Sequence, residues 1–342
     1  MTTELIISTD MVEEKFRDDF WRNILMPVYD ISVPDIEGCQ GLTGSIRSRQ
    51  LGNLLLGTTT FNAQNYQRSR RIVAQGELDQ YVIQVIVAGK LRGDFDGIDV
   101  TAEAGDIVIL DLTRTISSHV DAGARITIVI PRLVLEKAVG WRELHGVVLR
   151  SSLPITRLLF DYIVSLEKVA LTLAPLETVV AQETLISLLA SRFNTLEMGQ
   201  TTANVPMRKS MIKYIETNVG DPLLGPVSLA KHFNVSRSHL YRAFYADGGV
   251  AKLIKDKRLD NAYRLILERR NKPLLLKEIA YRCGFRDTVQ FTNAYRSRYN
   301  ISPNETPDTT IDFRSGNNYT FSFHDHFAER ATQLNLSERI IE

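Results

Sequence analysis

Val227-Ser-Leu-Ala-Lys-His-Phe-Asn-Val-Ser-Arg-Ser-His-Leu-Tyr-Arg-Ala-Phe244 decides the fold, because its pattern returns as Ile279-Ala-Tyr-Arg-Cys-Gly-Phe-Arg-Asp-Thr-Val-Gln-Phe-Thr-Asn-Ala-Tyr295. In each copy an alanine (Ala230, Ala280) is followed four residues on by a residue able to take φ > 0 (Asn234, Gly284). An apolar residue comes next (Val235, Phe285), then a helix-capping side chain (Ser236, Asp287), then a second apolar-periodic run. Two short helices that cross steeply need these parts. The small residue lets the backbones approach, and the turn residue enters the left-handed region. The apolar residue plugs the space under the turn, and the cap satisfies the next helix's orphan amides. Helix-turn-helix is the motif with that order, and its second helix lies in the DNA major groove. One copy is a weak signal; two, some fifty residues apart and joined by a helical run over about 250–268, are a strong one.

These residues resemble the AraC/XylS family of bacterial transcription regulators, whose DNA-binding domain is two helix-turn-helix units bridged by a long helix. The resemblance covers roughly residues 208 to 305. It is carried by Leu229-Ala230, Val235 to Phe244, Arg258-Leu259 with Ala262, Ile279-Ala280, Cys283-Gly-Phe285, Phe291, Ala294-Tyr295 and Ile301-Ser-Pro303. There are departures. Asn234 replaces the usual glycine, Gly249-Val250 stand where the family often has Ser-Pro, and Thr288, Val289 and Asn293 occupy positions often longer and more polar.

The charge distribution agrees with the motif. Residues 207 to 305 hold 19 Lys+Arg against 9 Asp+Glu, a balance of +10, and the rest holds 22 against 31, a balance of −9. A total of +1 thus hides a basic module on an acidic body, the footprint expected of a phosphate-binding domain. Two cysteines, Cys39 and Cys283, fall in different expected domains, so no disulfide framework is suggested and a reducing cytoplasm fits. The first residues lack the basic region and apolar core of a signal peptide, and no run approaches the ~20 apolar residues that span a membrane.

Upstream, Phe16, Phe20, Trp21, Ile24 and Leu25 give residues 11–29 a helical period. From about 40 to 131 the period falls to two. Tyr81-Val-Ile-Gln-Val-Ile-Val87 reads as a buried strand, and Asp96-Gly97 as a two-residue hairpin between Leu91–Phe95 and Ile98–Thr101. Short strands at this spacing suggest a barrel or sandwich. With the Trp-containing helix and Gly105-Asp-Ile-Val-Ile-Leu-Asp111, the segment is similar to the cupin-like effector domain preceding many AraC-type DNA-binding domains. Residues 133 to 197 return to a helical period, with apolar stripes through Leu153–Leu166 and Val179–Phe193. One reading packs these helices on the barrel; the resemblance implies that they also supply a dimer interface. The polar run 199–206 ends in a proline and is read as a linker.

The expected architecture is therefore α+β and multidomain: a cupin-like sensor and dimerisation domain over 1–198, the linker, a double helix-turn-helix domain over 207–305, and an unassigned extension over 306–342. The outward positions of the first recognition helix are Ser236, Arg237, Ser238, Tyr241 and Arg242, with Leu240 and Phe244 turned to the core. Arg242 is the best candidate for a bidentate contact with guanine. In the second unit the exposed set is Arg286, Asp287, Thr288, Val289, Asn293 and Arg296. Asn293 can pair with adenine and Val289 can touch a thymine methyl, whereas Arg296 is expected on phosphate and Asp287 as a cap.

Within the barrel, Tyr66, Arg68, Arg70, Tyr81 and His119 are candidate effector-lining groups, since a small barrel can hold one small ligand. A catalytic cupin needs clustered histidines around a metal; the barrel segment has His119 alone, and His324-Asp-His326 lacks a third ligand. No nucleophile elbow or phosphate loop appears. No metal, cofactor or enzymatic role is expected. The expected partners are double-stranded DNA, a small-molecule effector and a second copy of the chain, with RNA polymerase a further candidate. The rivals are a cupin-type enzyme carrying a DNA-binding domain, and a regulator whose barrel serves only assembly.

Overall fold

The computed structural model describes residues 4–26, 28–35, 41–76, 78–139, 143–194, 205–245, 247–268 and 274–306. Cys39, linker residues 199–204, His324 and His326, and the extension from 307 onward lie outside them. The chain divides into two compact units.

The first unit runs β1 (Leu5–Ser8), α1 (Arg17–Leu25), β2 (Asp30–Ser32), β3 (Gly44–Leu51), β4 (Leu54–Phe61), β5 (Gln64–Arg68), α2 (Arg70–Gly76) and β6 (Gln80–Ala88). It continues through β7 (Lys90–Phe95), β8 (Ile98–Glu103), β9 (Ile107–Asp111), β10 (Ile116–Val120), β11 (Gly123–Pro131), α3 (Arg132–Val139), β12 (Val147–Leu149), α4 (Pro154–Val169) and α5 (Pro175–Asn194). Seven strands form one sheet in the order β1-β3-β4-β11-β6-β9-β12, and five form the other in the order β2-β5-β10-β7-β8. All the pairings are antiparallel. The β7–β8 hairpin turns through Asp96 (φ 53°) and Gly97 (φ 91°), the double left-handed step a tight Asp-Gly turn requires.

The larger sheet is covered on both faces, and that explains its nearly unbroken apolar strands. Tyr81, Ile83 and Val85 of β6 and Ile126, Ile128 and Ile130 of β11 join a core with Leu159, Ile163, Leu185 and Leu189 of α4 and α5. On the opposite face, Val82, Ile86 and Val129 pack with Leu91, Phe95 and Ile116 of the smaller sheet. Each such side chain removed from water contributes about 1.5–3 kcal/mol. Four elements depart from the expected periods. β12 lies inside the stretch read as helical, β1 and β2 precede the expected strand region, and α2 interrupts it. β12 and β2 are three residues each and β1 is four; they exist by pairing with β9, β5 and β3, so no local period announces them.

The second unit contains α6 (Val205–Thr217), α7 (Pro226–His232), α8 (Arg237–Ala243), α9 (Val250–Glu268), α10 (Leu276–Arg282) and α11 (Thr288–Tyr299). Met211, Ile215, Leu229, Leu240, Phe244 and Ile254 form the core of its first half. The second half is aromatic: Tyr263 stacks on Tyr295 at 6.1 Å, and Phe291 meets Phe285 at 5.3 Å and Tyr295 at 5.6 Å.

Candidate nucleic-acid interface and interior cavity

The two turns of the second unit are built on the same backbone bonds. Phe233 N–H donates to Leu229 O (3.0 Å), Asn234 N–H to Lys231 O (3.3 Å) and Val235 N–H to Ala230 O (3.0 Å). Fifty residues on, Cys283 N–H donates to Ile279 O (3.0 Å), Gly284 N–H to Tyr281 O (2.9 Å) and Phe285 N–H to Ala280 O (2.9 Å). This is the Schellman closure, which consumes the last carbonyls of α7 and α10. Asn234 at φ 51° and Gly284 at φ 75° supply its left-handed step. The next helices are then capped alike: Ser236 Oγ accepts from His239 N–H (3.1 Å), and Asp287 Oδ1 from Gln290 N–H (2.6 Å).

These bonds leave one face of each second helix in solvent. In α8 and its cap, Ser236, Arg237, Ser238, Tyr241 and Arg242 are exposed, while Leu240 and Phe244 are buried. In the second unit Arg286, Asp287, Val289, Asn293 and Arg296 are exposed and Thr288 is half-buried. Asp287 acts as the cap, with its carboxylate committed to a backbone amide. Other arginines of this unit are anchors. Arg208 bonds Ala243 O (2.9 Å) and Asp247 (2.9 Å), and Arg298 bridges Asp256 (2.8 Å) and Asp260 (2.8 Å). Arg258, on α9, donates to the carbonyls of Val219, Asp221 and Leu224. Arg237 and Arg242 make no ion pair among the described residues.

In the first unit a cavity of about 70 Å³ lies between the two sheets. Its apolar lining includes Leu25, Val82, Leu91, Phe95, Leu110 and Ile116, and its polar lining includes Tyr29, Tyr66, Gln84 and Arg125. Of the five candidates read from the sequence, Tyr66 lines it. Arg68 is fully buried elsewhere, with its guanidinium spent on Leu112 O (2.9 Å) and Val28 O (2.6 Å). Tyr81 points to the helical side of the larger sheet and bonds Arg132 (2.8 Å). Arg70 pairs with Asp96 (3.8 Å). His119 lines a separate hollow with Arg92 and Asn65, its Nδ1 2.9 Å from Asn65 Oδ1. Sequence reasoning missed Arg125, whose signal was a lone charge at the head of Ile-Thr-Ile-Val-Ile. It donates to Gln84 Oε1 (3.1 Å) and stacks 4.9 Å over Phe61. Burial pulls its pKa down to about 10 against the opposing pull of Tyr66 and Tyr29.

Comparison with known proteins places both units. A profile described as an AraC-binding-like domain matches residues 25–193, and one described as a helix-turn-helix domain matches residues 229–308. An uncharacterized protein in the nit 5′ region of Bacillus sp. (strain OxB-1) is 24% identical over 240 residues, 67% of this chain and 93% of that protein. The uncharacterized HTH-type transcriptional regulator YpdC of Escherichia coli (strain K12) is 26% identical over 147 residues, 40% of this chain and 48% of its own. Among solved structures, the AraC-like transcriptional activator CuxR shares the fold, with a TM-score of 0.53 at 22% identity over 76% of this chain and 95% of that one. With an AraC-binding-like domain ahead of paired helix-turn-helix units, the chain belongs to the AraC/XylS family of DNA-binding transcription regulators.

Proposed function

We propose that both helix-turn-helix units read bases, in successive major grooves on one face of the duplex, under control of a small molecule held between the two sheets of the first unit. The observation that carries the reading is the repeated turn geometry at the two ends of α9, which leaves Arg242 on one recognition helix and Asn293 on the other in solvent. At ~1.5 Å per residue the 19 residues of α9 span about 28 Å, close to one duplex turn of roughly 34 Å. Arg242 reads guanine, Asn293 adenine and Val289 a thymine methyl; Ser236, Arg237, Ser238, Tyr241, Arg286, Thr288 and Arg296 support them on neighbouring edges and phosphates.

The working form is a homodimer. Leu159 and Ile163 of α4 and Leu185 and Leu189 of α5 are buried against the larger sheet, yet Leu158, Leu176 and Val180 of the same helices are 61%, 81% and 61% exposed. An apolar face of that kind on two adjacent helices supports self-association. The protein acts in the cytoplasm, with RNA polymerase a candidate partner and without a catalytic step; among the described residues no helix is long and apolar enough to cross a membrane. In vitro selection of DNA sites by the full-length protein tests the reading. The expected product is a bipartite site with two conserved blocks about ten base pairs apart. A single block, unaltered by Asn293→Ala, would reduce the second unit to a backbone clamp.

A further inference from the structure

We infer that the cavity between the sheets takes a compact carboxylate with an apolar body, its charge met by Arg125. The inference rests on reading that cavity as the effector site and names the class of effector.

The shielded arginines of the first unit, half-buried Arg132 and buried Arg49, Arg68 and Arg125, divide sharply. Arg132 is met by Asp111, Asp79 and Glu136, Arg49 by Glu167 and Glu4, and Arg68 by two backbone carbonyls. Arg125 is 5% exposed, and no carboxylate of the described residues pairs with it. Its one hydrogen bond goes to the neutral Gln84 side chain, and its Nε is buried without a partner. A guanidinium carries five donors, and a charge kept from water without a counter-charge is costly. Beside it, in the chain of rings Phe61–Tyr66–Tyr29 (6.3 Å and 5.5 Å), the Tyr29 hydroxyl is also buried without a hydrogen bond.

Strand pairing places the cation. Arg125 lies opposite Thr59 and next to a register shift at Ala124, and two residues on Thr127 lies opposite Gln84. Arg125 and Tyr29 thus bring unspent donors to a cavity otherwise lined by the apolar side chains of Leu25, Val82, Leu91, Phe95 and Ile116. A carboxylate offers two acceptor oxygens and one negative charge, which suits a guanidinium, and the remainder of the ligand meets hydrocarbon. About 70 Å³ corresponds to roughly five or six water-sized sites, so the body is small. A polyol would strand hydroxyls against the apolar lining.

The test uses the full-length protein with benzoate, 3-methylbutanoate and their amides, followed by calorimetric titration and by thermal unfolding. At least one acid is expected to bind, with its amide ten-fold weaker or more. Arg125→Met should weaken the acid by about 10- to 100-fold, the range of a hydrogen-bonded charge, and Arg125→Lys should keep the preference for acid over amide. If Arg125→Met does not fold, the acid–amide comparison on the unaltered chain decides alone. Equal binding of acid and amide, binding of neither acid, or a folded Arg125→Met that binds the acid as before would overturn the inference. DNA affinity measured with and without the acid separates the two layers. An acid that binds through Arg125 and leaves DNA affinity unchanged sinks the effector reading but supports the ligand class. An uncharged compound that changes DNA affinity does the reverse.

Discussion

The two helix-turn-helix units reach one backbone geometry by different means. Both turns make the same three bonds, yet one uses an asparagine and the other a glycine at the left-handed step. The surroundings explain the choice. Asn234 is exposed, and a short polar side chain tolerates that conformation. Gly284 is buried, and a Cβ there would stand 2.7 Å from Arg258 Nε and 2.8 Å from Val219 O. The φ angle admits either residue, but only the second turn is pressed against another part of the unit. A departure from the family pattern at Asn234 is therefore tolerated where the same change at 284 is not.

Ala substitutions break or sharpen this contrast most directly. Gly284→Ala should cost about 2–4 kcal/mol, combining left-handed strain with overpacking, whereas Asn234→Ala should cost about 1 kcal/mol. Denaturant unfolding measures both, and equal costs would remove the close approach as the reason. Cys283 gives a local readout for the same pair. It is buried, and burial pushes its thiol up to about 12, so at pH 8 the folded thiol is protonated and shielded. In a Cys39→Ser background, labelling of Cys283 should speed up in Gly284→Ala and change little in Asn234→Ala. The sign follows from a raised pKa: reaction near neutral pH needs opening of the second turn, and its rate should rise with pH through the ordinary thiol range of the opened state, well below the folded value.

Next in size are the exposed faces. Arg242→Ala should cost about 1–3 kcal/mol of DNA affinity and relax preference at one end of the half-site. Asn293→Ala should relax a position about ten base pairs away, with a smaller loss, because Thr288 and Val289 beside it are short. Site selection repeated on each variant checks this; loss at the same base pairs would place both helices in one groove. The caps should be nearly equivalent. Ser236→Ala and Asp287→Ala should each cost about 1 kcal/mol of stability, and a much larger loss for one would show that its side chain does more than cap. Smallest in discrimination, Arg296→Ala should weaken all sequences alike and lower the salt slope by about one.

The turns were legible because every part of them is local. Left-handed residue, apolar plug and cap lie within a few positions, and each carries its own chemical reason. The cavity was not legible, because which way a strand residue points depends on register. β6 is buried on both faces, so Tyr81 and Gln84 look alike in sequence, yet one faces the helices and the other the cavity. Arg125 sits at a register shift that resets the alternation. Arg68, with the same charge, points at backbone carbonyls that only the folded chain brings near.

Arg258 has a wider consequence. From the middle of α9 it grips three carbonyls of the loop before the first turn, and its guanidinium also lies against Gly284 in the second. One side chain thus ties both units to the same rod, which fixes their separation and relative twist before any duplex arrives. A protein built this way is a calliper with locked jaws. On the proposed two-block reading, a duplex whose blocks do not match that span would have to bend or untwist to fit, at a cost of a few kcal/mol that depends on the stiffness of its steps. The base pairs between the blocks should then be selected for how readily they deform.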